Sequence, residues 1–469
     1  MRAKAVIIGL VFVAAANAVG GIEGAWEGEL DFGPVKHRLI FHISRGADDG
    51  YVSTMDSPGE NVKGLKVYKT SFDKGVLTLE IKRSGNFYKG KASDNGLRFE
   101  GKMKTSRGYM PLTLKPVSSD VMMRPQDPAE PFPYVQEEVV FENAKAGVRL
   151  AGTLTKPGGV GKFPAVVLIS GSGPHDRNSE MMGHRPFLVL ADYLTRKGIA
   201  VLRFDDRGIG SSTGDFSKAT TEDFVGDVLA AVEYLKGHGW VDAEKIGLVG
   251  HSEGSTVAAI AAGRSNDVAY IVMMAGIGVG GDETLIEQTI ASAKAAGVGG
   301  YMIEGNITLQ RKIFSILKTG AGAQERQKQL RETYMGRVKA MGSLSGEQLK
   351  GAKAQIDEQI KQVTSPWFLY FVNYNPKPDL MKVTCPVLVL YGEKDLQVPP
   401  GVHEAPVREA FEAGGNRKYK IKVLKGLNHL FQTAQTGLNS EYSKIPETMS
   451  PSALRLIGQW VLQWCQEKR

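Results

Sequence analysis

The pattern of hydrophobic and polar positions changes character twice along the chain. From about Gly24 to Val117 it consists of short strand-like runs: Ala25–Phe32, His37–Arg45, Leu65–Tyr68, Val76–Lys82, Asn86–Lys91, Leu97–Lys104 and Met110–Lys115. Glycine, Asn and Asp punctuate the runs, as at Asp49-Gly50 and Asn95-Gly96, and no helical period intervenes. The pattern predicts a small antiparallel all-β domain, barrel or sandwich, over residues 24–117. Trp26, on an otherwise polar first strand, is expected to plug its core rather than to face a ligand.

Residues 118–134 carry Pro125, Pro128, Pro131 and Pro133 among mixed charges, which predicts an extended, semi-rigid linker. From Val135 to Arg469 strands alternate with helices. Expected strands are Val139–Phe141, Val148–Leu154, Ala165–Ile169, Ala200–Phe204, Ile246–Val249, Ala269–Met274, Val387–Tyr391 and Tyr419–Leu424. Expected helices include Phe187–Lys197, Thr221–Lys236, Ser252–Ala262, Glu404–Glu412 and Ser452–Gln466. Several strands are near-continuous Val/Ile/Leu runs, as in a mostly parallel α/β sheet covered on both faces. Between residues 276 and 384 the alternation stops and helical patterns take over: Glu283–Ala295, Ile307–Leu317, Ala323–Met341 and Glu347–Val363. An inserted helical cap beside the strand ends is the expectation.

Composition narrows the picture. The 469 residues, 42% hydrophobic and 23% charged, suit a folded chain of two or three domains. Arg2 and Lys4, the apolar run Ala5 to Ala16 and the small-x-small triplet Ala16-Asn17-Ala18 predict a signal peptide over residues 1–18, with a retained anchor as the alternative. The mature protein is then expected to be exported, periplasmic or secreted, without stable membrane insertion. The net charge of +8 is spread along the chain, with no basic run interleaved with aromatics, so a nucleic-acid partner is not expected. Cys385 and Cys465 should lie at a strand start and near the end of the last helix, which leaves open a disulfide or two buried thiols.

The chemistry centres on Ile246-Gly247-Leu248-Val249-Gly250-His251-Ser252-Glu253-Gly254. A buried strand enters Gly-x-Ser-x-Gly and leaves it as an apolar helix. Such a turn lifts a serine hydroxyl above a sheet, its glycines clear the backbone, and the helix N-terminus faces developing negative charge. Ser252 is therefore the candidate nucleophile. A base and an orienting acid are needed. Asp395 follows the strand Val387–Tyr391, with Glu393 as rival acid, and His429 follows the strand Ile421–Leu424. Of the eight histidines, His429 alone follows the last strand. His251 is expected to pack around the turn, away from the serine hydroxyl. The oxyanion donors are expected to be the backbone N–H groups of Glu253 and of Ser172, in Ser170-Gly171-Ser172-Gly173-Pro174.

These segments, with Pro174-His175-Asp176-Arg177, Arg203-Phe204-Asp205-Asp206-Arg207-Gly208, Leu390-Tyr391-Gly392-Glu393-Lys394-Asp395 and Leu427-Asn428-His429, resemble the exported bacterial α/β-hydrolases related to the serine aminopeptidase and acyl-esterase families. The likeness covers about Val135 to Arg469. It implies an α/β-hydrolase fold and the triad Ser252, Asp395 and His429. The turns of the first domain are similar to those of lipocalin-like β folds. Asp205-Asp206-Arg207 is read as an ion-paired loop lock, and Asp176 and Arg177 as candidate substrate contacts or loop braces. Gly276-Ile277-Gly278-Val279-Gly280-Gly281 imitates a dinucleotide loop but is read as a flexible lead into the cap. Neither a cofactor nor a metal is expected. Three functions follow: a serine carboxylesterase acting on small or medium acyl esters, a serine peptidase of aminopeptidase or prolyl type, or a binding protein on a hydrolase scaffold. The second needs an anion for the substrate's ammonium group, for which Glu253 and Glu283 are the candidates.

Overall fold

The structure, a computed structural model, describes residues 22, 24–32, 36–46, 50–57, 62–81, 87–93, 98–105, 108–116, 124–340 and 346–466. The expected signal peptide lies outside the described residues. The chain divides into two compact units.

Among the described residues the first unit contains nine strands: β1 (Gly24–Asp31), β2 (Lys36–Arg45), β3 (Tyr51–Ser57), β4 (Val62–Lys66), β5 (Lys69–Asp73), β6 (Val76–Glu80), β7 (Phe87–Ala92), β8 (Phe99–Thr105) and β9 (Gly108–Pro116). They hydrogen bond antiparallel in the order β2-β1-β9-β8-β7-β6-β5-β3, and β3 pairs back onto β2, so eight strands close into a barrel with β4 added to β3. Closure removes open sheet edges. Side chains fill the interior. Trp26 is buried against Phe99 at 4.6 Å between ring centres, and its indole N–H donates to the Ile22 carbonyl at 2.9 Å. The strands β3 and β5 were not expected. Their sequences, YVSTMDS and KTSFD, carry few large apolar residues, and the Ser53 and Thr70 hydroxyls meet at 2.5 Å. The ladder between them forms through backbone, which leaves little trace in hydrophobicity.

The second unit is an α/β-hydrolase fold. Its eight strands are β10 (Val135–Asn143), β11 (Val148–Lys156), β12 (Phe163–Ile169), β13 (Ala200–Phe204), β14 (Val241–His251), β15 (Tyr270–Met274), β16 (Val387–Gly392) and β17 (Tyr419–Leu424). Their order in the sheet is β10-β11-β13-β12-β14-β15-β16-β17. The strands from β12 onward run parallel, and β10 and β11 pair antiparallel at one edge. Strands β13, β15 and β16 are buried at every position, which is why they read as unbroken apolar runs. The helices α1 (Pro186–Thr195), α2 (Thr221–Lys236) and α3 (Glu253–Arg264) connect successive strands. Between β15 and β16 come α4 (Gly281–Ala295), α5 (Gly300–Leu317), α6 (Ala323–Ala340), α7 (Gly346–Val363), α8 (Pro366–Asn373) and α9 (Lys377–Leu380). The chain ends with α10 (Pro400–Ala413), α11 (Asn439–Tyr442) and α12 (Pro451–Gln466).

The described part of the proline-rich segment is tied down on this unit. Arg124 donates to the carbonyls of Ile445 and Met182, Gln126 exchanges hydrogen bonds with Thr448 and Met449, and Arg185 pairs with Asp127. Cys385 and Cys465 are not bonded to each other, and the Cys465 sulfur lies 3.6 Å from the Tyr270 hydroxyl. No helix among the described residues is long and apolar enough to cross a membrane.

Candidate active site

Strand β14 passes into α3 through a single residue, Ser252, whose φ of 54° and ψ of −119° lie where side chains are rarely found. The surroundings hold it there. The Ser252 N–H donates to the Met274 carbonyl at 2.8 Å, and its carbonyl accepts from the N–H and hydroxyl of Ser255. The two glycines are required by contact: a Cβ on Gly254 would sit 2.5 Å from the Ser170 carbonyl, and one on Gly250 would sit 2.7 Å from the Ser255 nitrogen. The turn is thus pressed between the end of β12 and its own helix.

Asp395 follows β16 and is 2% exposed. One carboxylate oxygen accepts from the Gln397 and Val398 N–H groups, each at 2.8 Å; the other meets His429 Nδ1 at 2.8 Å. Because the two backbone bonds fix the carboxylate, the histidine ring is fixed as well. The His429 loop is braced separately by Asn428, whose side chain and N–H bond to Gln432. Glu393, the rival acid, instead accepts from the Gly426 N–H at 2.8 Å. His251 donates its Nε2–H to the His429 carbonyl at 2.9 Å, so it supports the base loop from inside the turn.

Ser252 and His429 line one cavity of about 230 Å³ and share its wall without a hydrogen bond between them. Serine-histidine bonds of this kind often tighten only when substrate is bound. Apolar side chains dominate the walls, among them Phe187, Ile277, Phe371 and Leu430; Ser172, His175, His251, Gln288 and Gln397 add polar groups, and no Asp or Glu takes part. Burial holds His175 below the ordinary histidine range and His251 at about 3, the latter pushed further by the neighbouring His429. Both rings are therefore neutral at pH 7. His175 donates to the Ser172 carbonyl at 3.1 Å, which anchors the loop carrying the expected oxyanion donor. The second expected donor, the Glu253 N–H, is the first of α3 and stands outside the helical ladder.

Residues 184–433, just over half of the chain, match the family described as serine aminopeptidase, S33. The chain belongs to that family of α/β hydrolases. Esterase EstD of Thermotoga maritima is 26% identical over 297 residues, which cover 63% of this chain and 61% of the esterase, less than two thirds of its length. An uncharacterized 31.7 kDa protein of Escherichia coli, from the traX-finO intergenic region, is 23% identical over 277 residues, covering 58% of this chain and 86% of that protein. Among solved structures, the Pyrococcus furiosus esterase Pf2001 superposes with a TM-score of 0.41 at 16% identity, over 71% of this chain and 92% of that one.

Within this S33 chain some expected site residues are placed elsewhere. Arg177 does not reach the cavity: its guanidinium is held by Asp205 at 2.8 Å, by Thr153 at 3.0 Å and by Glu138. The Asp176 carboxylate accepts from the Glu180 N–H at 2.8 Å and also stays out of the cavity wall. Both brace the loop: the Arg177 guanidinium is spent on Asp205, Thr153 and Glu138, and the Asp176 carboxylate on the Glu180 N–H. The lock of the Asp205-Asp206-Arg207 loop is made to outside partners, Arg177 for Asp205 and Asp223 with Asp227 for Arg207, not within the triplet. The glycines of the 276–281 motif serve packing: the Gly278 N–H donates to His403 at 3.1 Å, and a Cβ on Gly281 would sit 3.0 Å from the Phe371 ring while overlapping that residue's carbonyl.

Among the cavity residues that the sequence reading missed are His175, Trp367 and Phe371. His175 lay inside a motif read for its neighbours. Trp367 and Phe371 lie on α8, which opens with Ser365 accepting from the Phe368 N–H at 3.3 Å and with Pro366 as its first residue. Ser-Pro ahead of an apolar run was a legible helix start.

Proposed function

We propose that this chain is a carboxylesterase that cleaves small or medium acyl esters through an acyl-enzyme. Ser252 attacks the ester carbonyl while His429 takes its proton, and Asp395 holds the imidazole with Nδ1–H toward itself. The N–H groups of Glu253 and Ser172 stabilise the oxyanion, His429 protonates the departing alcohol, and water releases the acid. The observation that carries the choice of ester is the cavity around Ser252 and His429, mostly apolar and lined by no carboxylate. A peptidase that removes N-terminal residues would need an anion for the substrate's ammonium group. The two candidates give none: Glu253 turns its carboxyl to Thr221 and Trp367, and Glu283 is not in the wall. The bounded cavity of about 230 Å³ favours a short or medium acyl group over a long one.

The test is a rate series with p-nitrophenyl esters from acetate to dodecanoate beside aminoacyl p-nitroanilides, with fluorophosphonate labelling of wild type and Ser252→Ala. Labelling is expected to vanish in the variant, and rates to be higher on short and medium acyl chains than on dodecanoate. Faster turnover of the anilides than of every ester would overturn the assignment in favour of a peptidase.

A further inference from the structure

The Glu253 side chain has no part in the mechanism above, yet it stands beside the reacting groups. It is 1% exposed. Its carboxyl accepts from the Thr221 hydroxyl at 2.6 Å and from the Trp367 indole N–H at 2.8 and 2.9 Å, and the nearby Ser172 hydroxyl helps to hold its charge. Four segments therefore meet at one carboxyl: the start of α3, the loop after β12, the start of α2 and the cap helix α8. Two of them, at Glu253 and Ser172, supply the N–H groups assigned to the oxyanion. A third, α8, supplies the Trp367 ring that forms part of the cavity wall, stacked on Phe371 at 5.3 Å.

Apolar packing could hold α8 against the sheet equally well, since a buried charged group carries a desolvation cost that apolar contacts avoid. A carboxylate does something packing does not. Burial pushes this carboxyl above the usual range and its donors pull it back; each donor it loses leaves a buried polar group less satisfied, so it favours one arrangement of all its partners over many near ones. Its place in the first turn of α3 adds the helix's positive end to the groups that hold its charge.

We propose that Glu253 is a positioning residue whose carboxyl couples the seating of cap helix α8, through Trp367, to the alignment of the Glu253 and Ser172 oxyanion donors. The hole is in register only with the indole docked; when α8 lifts, the carboxyl loses its restraint from the cap and both donors shift from the oxyanion position. Cap closure thereby gates the chemical step as well as the space available to the acyl group. This rests on the esterase reading and on its assignment of the two donors.

The decisive variant is Trp367→Phe, which keeps an aromatic ring in the wall and deletes only the N–H. Steady-state rates on p-nitrophenyl butyrate and inhibition constants of an alkyl trifluoromethyl ketone, which forms an oxyanion on Ser252, are measured for wild type, Trp367→Phe, Glu253→Gln and the double variant. The expected result is a loss of about tenfold or more in kcat for Trp367→Phe with KM nearly unchanged, and an equal loss in ketone affinity, because one displaced oxyanion donor costs that much or more. The double variant should be no worse than the poorer single one. Wild-type kcat in Trp367→Phe overturns the proposal, as does a change confined to KM, which would make the indole a wall and nothing more. Independent, multiplying losses in the double variant also overturn it. If Glu253→Gln does not fold, Thr221→Val replaces it in the cycle. Failure of wild type to turn over any ester or to take the ketone is a different outcome: it overturns the esterase reading, and the coupling falls with it.

Discussion

At the scale of single residues, what matters is how each side chain's remaining hydrogen-bond capacity is spent. Asp395 gives one oxygen to two backbone N–H groups and the other to His429, and nothing is left over. In Asp395→Asn the amide oxygen would keep the two backbone donors, because its NH₂ cannot accept them. The NH₂ would then face His429 Nδ1 and draw the imidazole into the tautomer with the proton on Nε2, which cannot take a proton from Ser252. The expected outcome is a fall in kcat of about 10⁴ with the melting temperature little changed, read from p-nitrophenyl butyrate hydrolysis and thermal unfolding. A loss of only a few-fold would remove Asp395 from the role of orienter and return Glu393 to consideration. Ser252, Asp395 and His429 were legible because each follows a strand and because their order along the chain is restrictive. The Glu253 carboxyl was not, because it depends on a partner distant in sequence, Trp367 being 114 positions away; Arg177, open between substrate contact and brace, was decided only by where Asp205 lies.

At the scale of elements, local sterics and distant contacts leave different signatures. The turn from β14 to α3 is dictated by Gly250 and Gly254, and it is pressed against β12, so it tolerates no added atom. Gly254→Ala is expected to cost about 2 kcal/mol or more by the overlap with the Ser170 carbonyl. Gly336→Ala, in the middle of α6 with open space around the new methyl, is expected to stabilise by about 0.5–1 kcal/mol through helix propensity alone. Urea midpoints of the two variants test the contrast; equal midpoints would mean that the elbow is less tightly pressed than the structure shows. The same distinction explains which elements were readable. Buried parallel strands announce themselves by unbroken apolar runs, whereas β3 and β5 are held in the barrel mainly by backbone pairing and carry polar sequences. Helix α8 is short and aromatic, and its signal lay in its cap rather than in its period.

At the scale of the whole molecule, several buried histidines are held neutral, and this ties stability to pH. Burial pushes His184 and His403 down to about 4 and His251 to about 3. Between pH 6.5 and these values the unfolded chain protonates the three rings while the folded chain does not. Their contribution to stability is therefore fully present above pH 6.5 and is lost as pH falls toward 4 and then 3. At pH 5 the three rings should still be unprotonated in the folded protein, measurable ring by ring from imidazole NMR shifts; rings found protonated at that pH in the folded protein would overturn this. The sequence by itself determined the two-part plan, the strand-helix alternation, the serine turn and the order of the candidate nucleophile, acid and base, because each rests on short-range sterics or on a repeating pattern of burial. Only the tertiary structure decided that the cavity carries no carboxylate, that Arg177 is spent on Asp205, and that the Glu253 carboxyl meets the Trp367 indole of α8. Those outcomes turn on which desolvated groups find partners, and a partner is set by where the folded chain brings distant segments together.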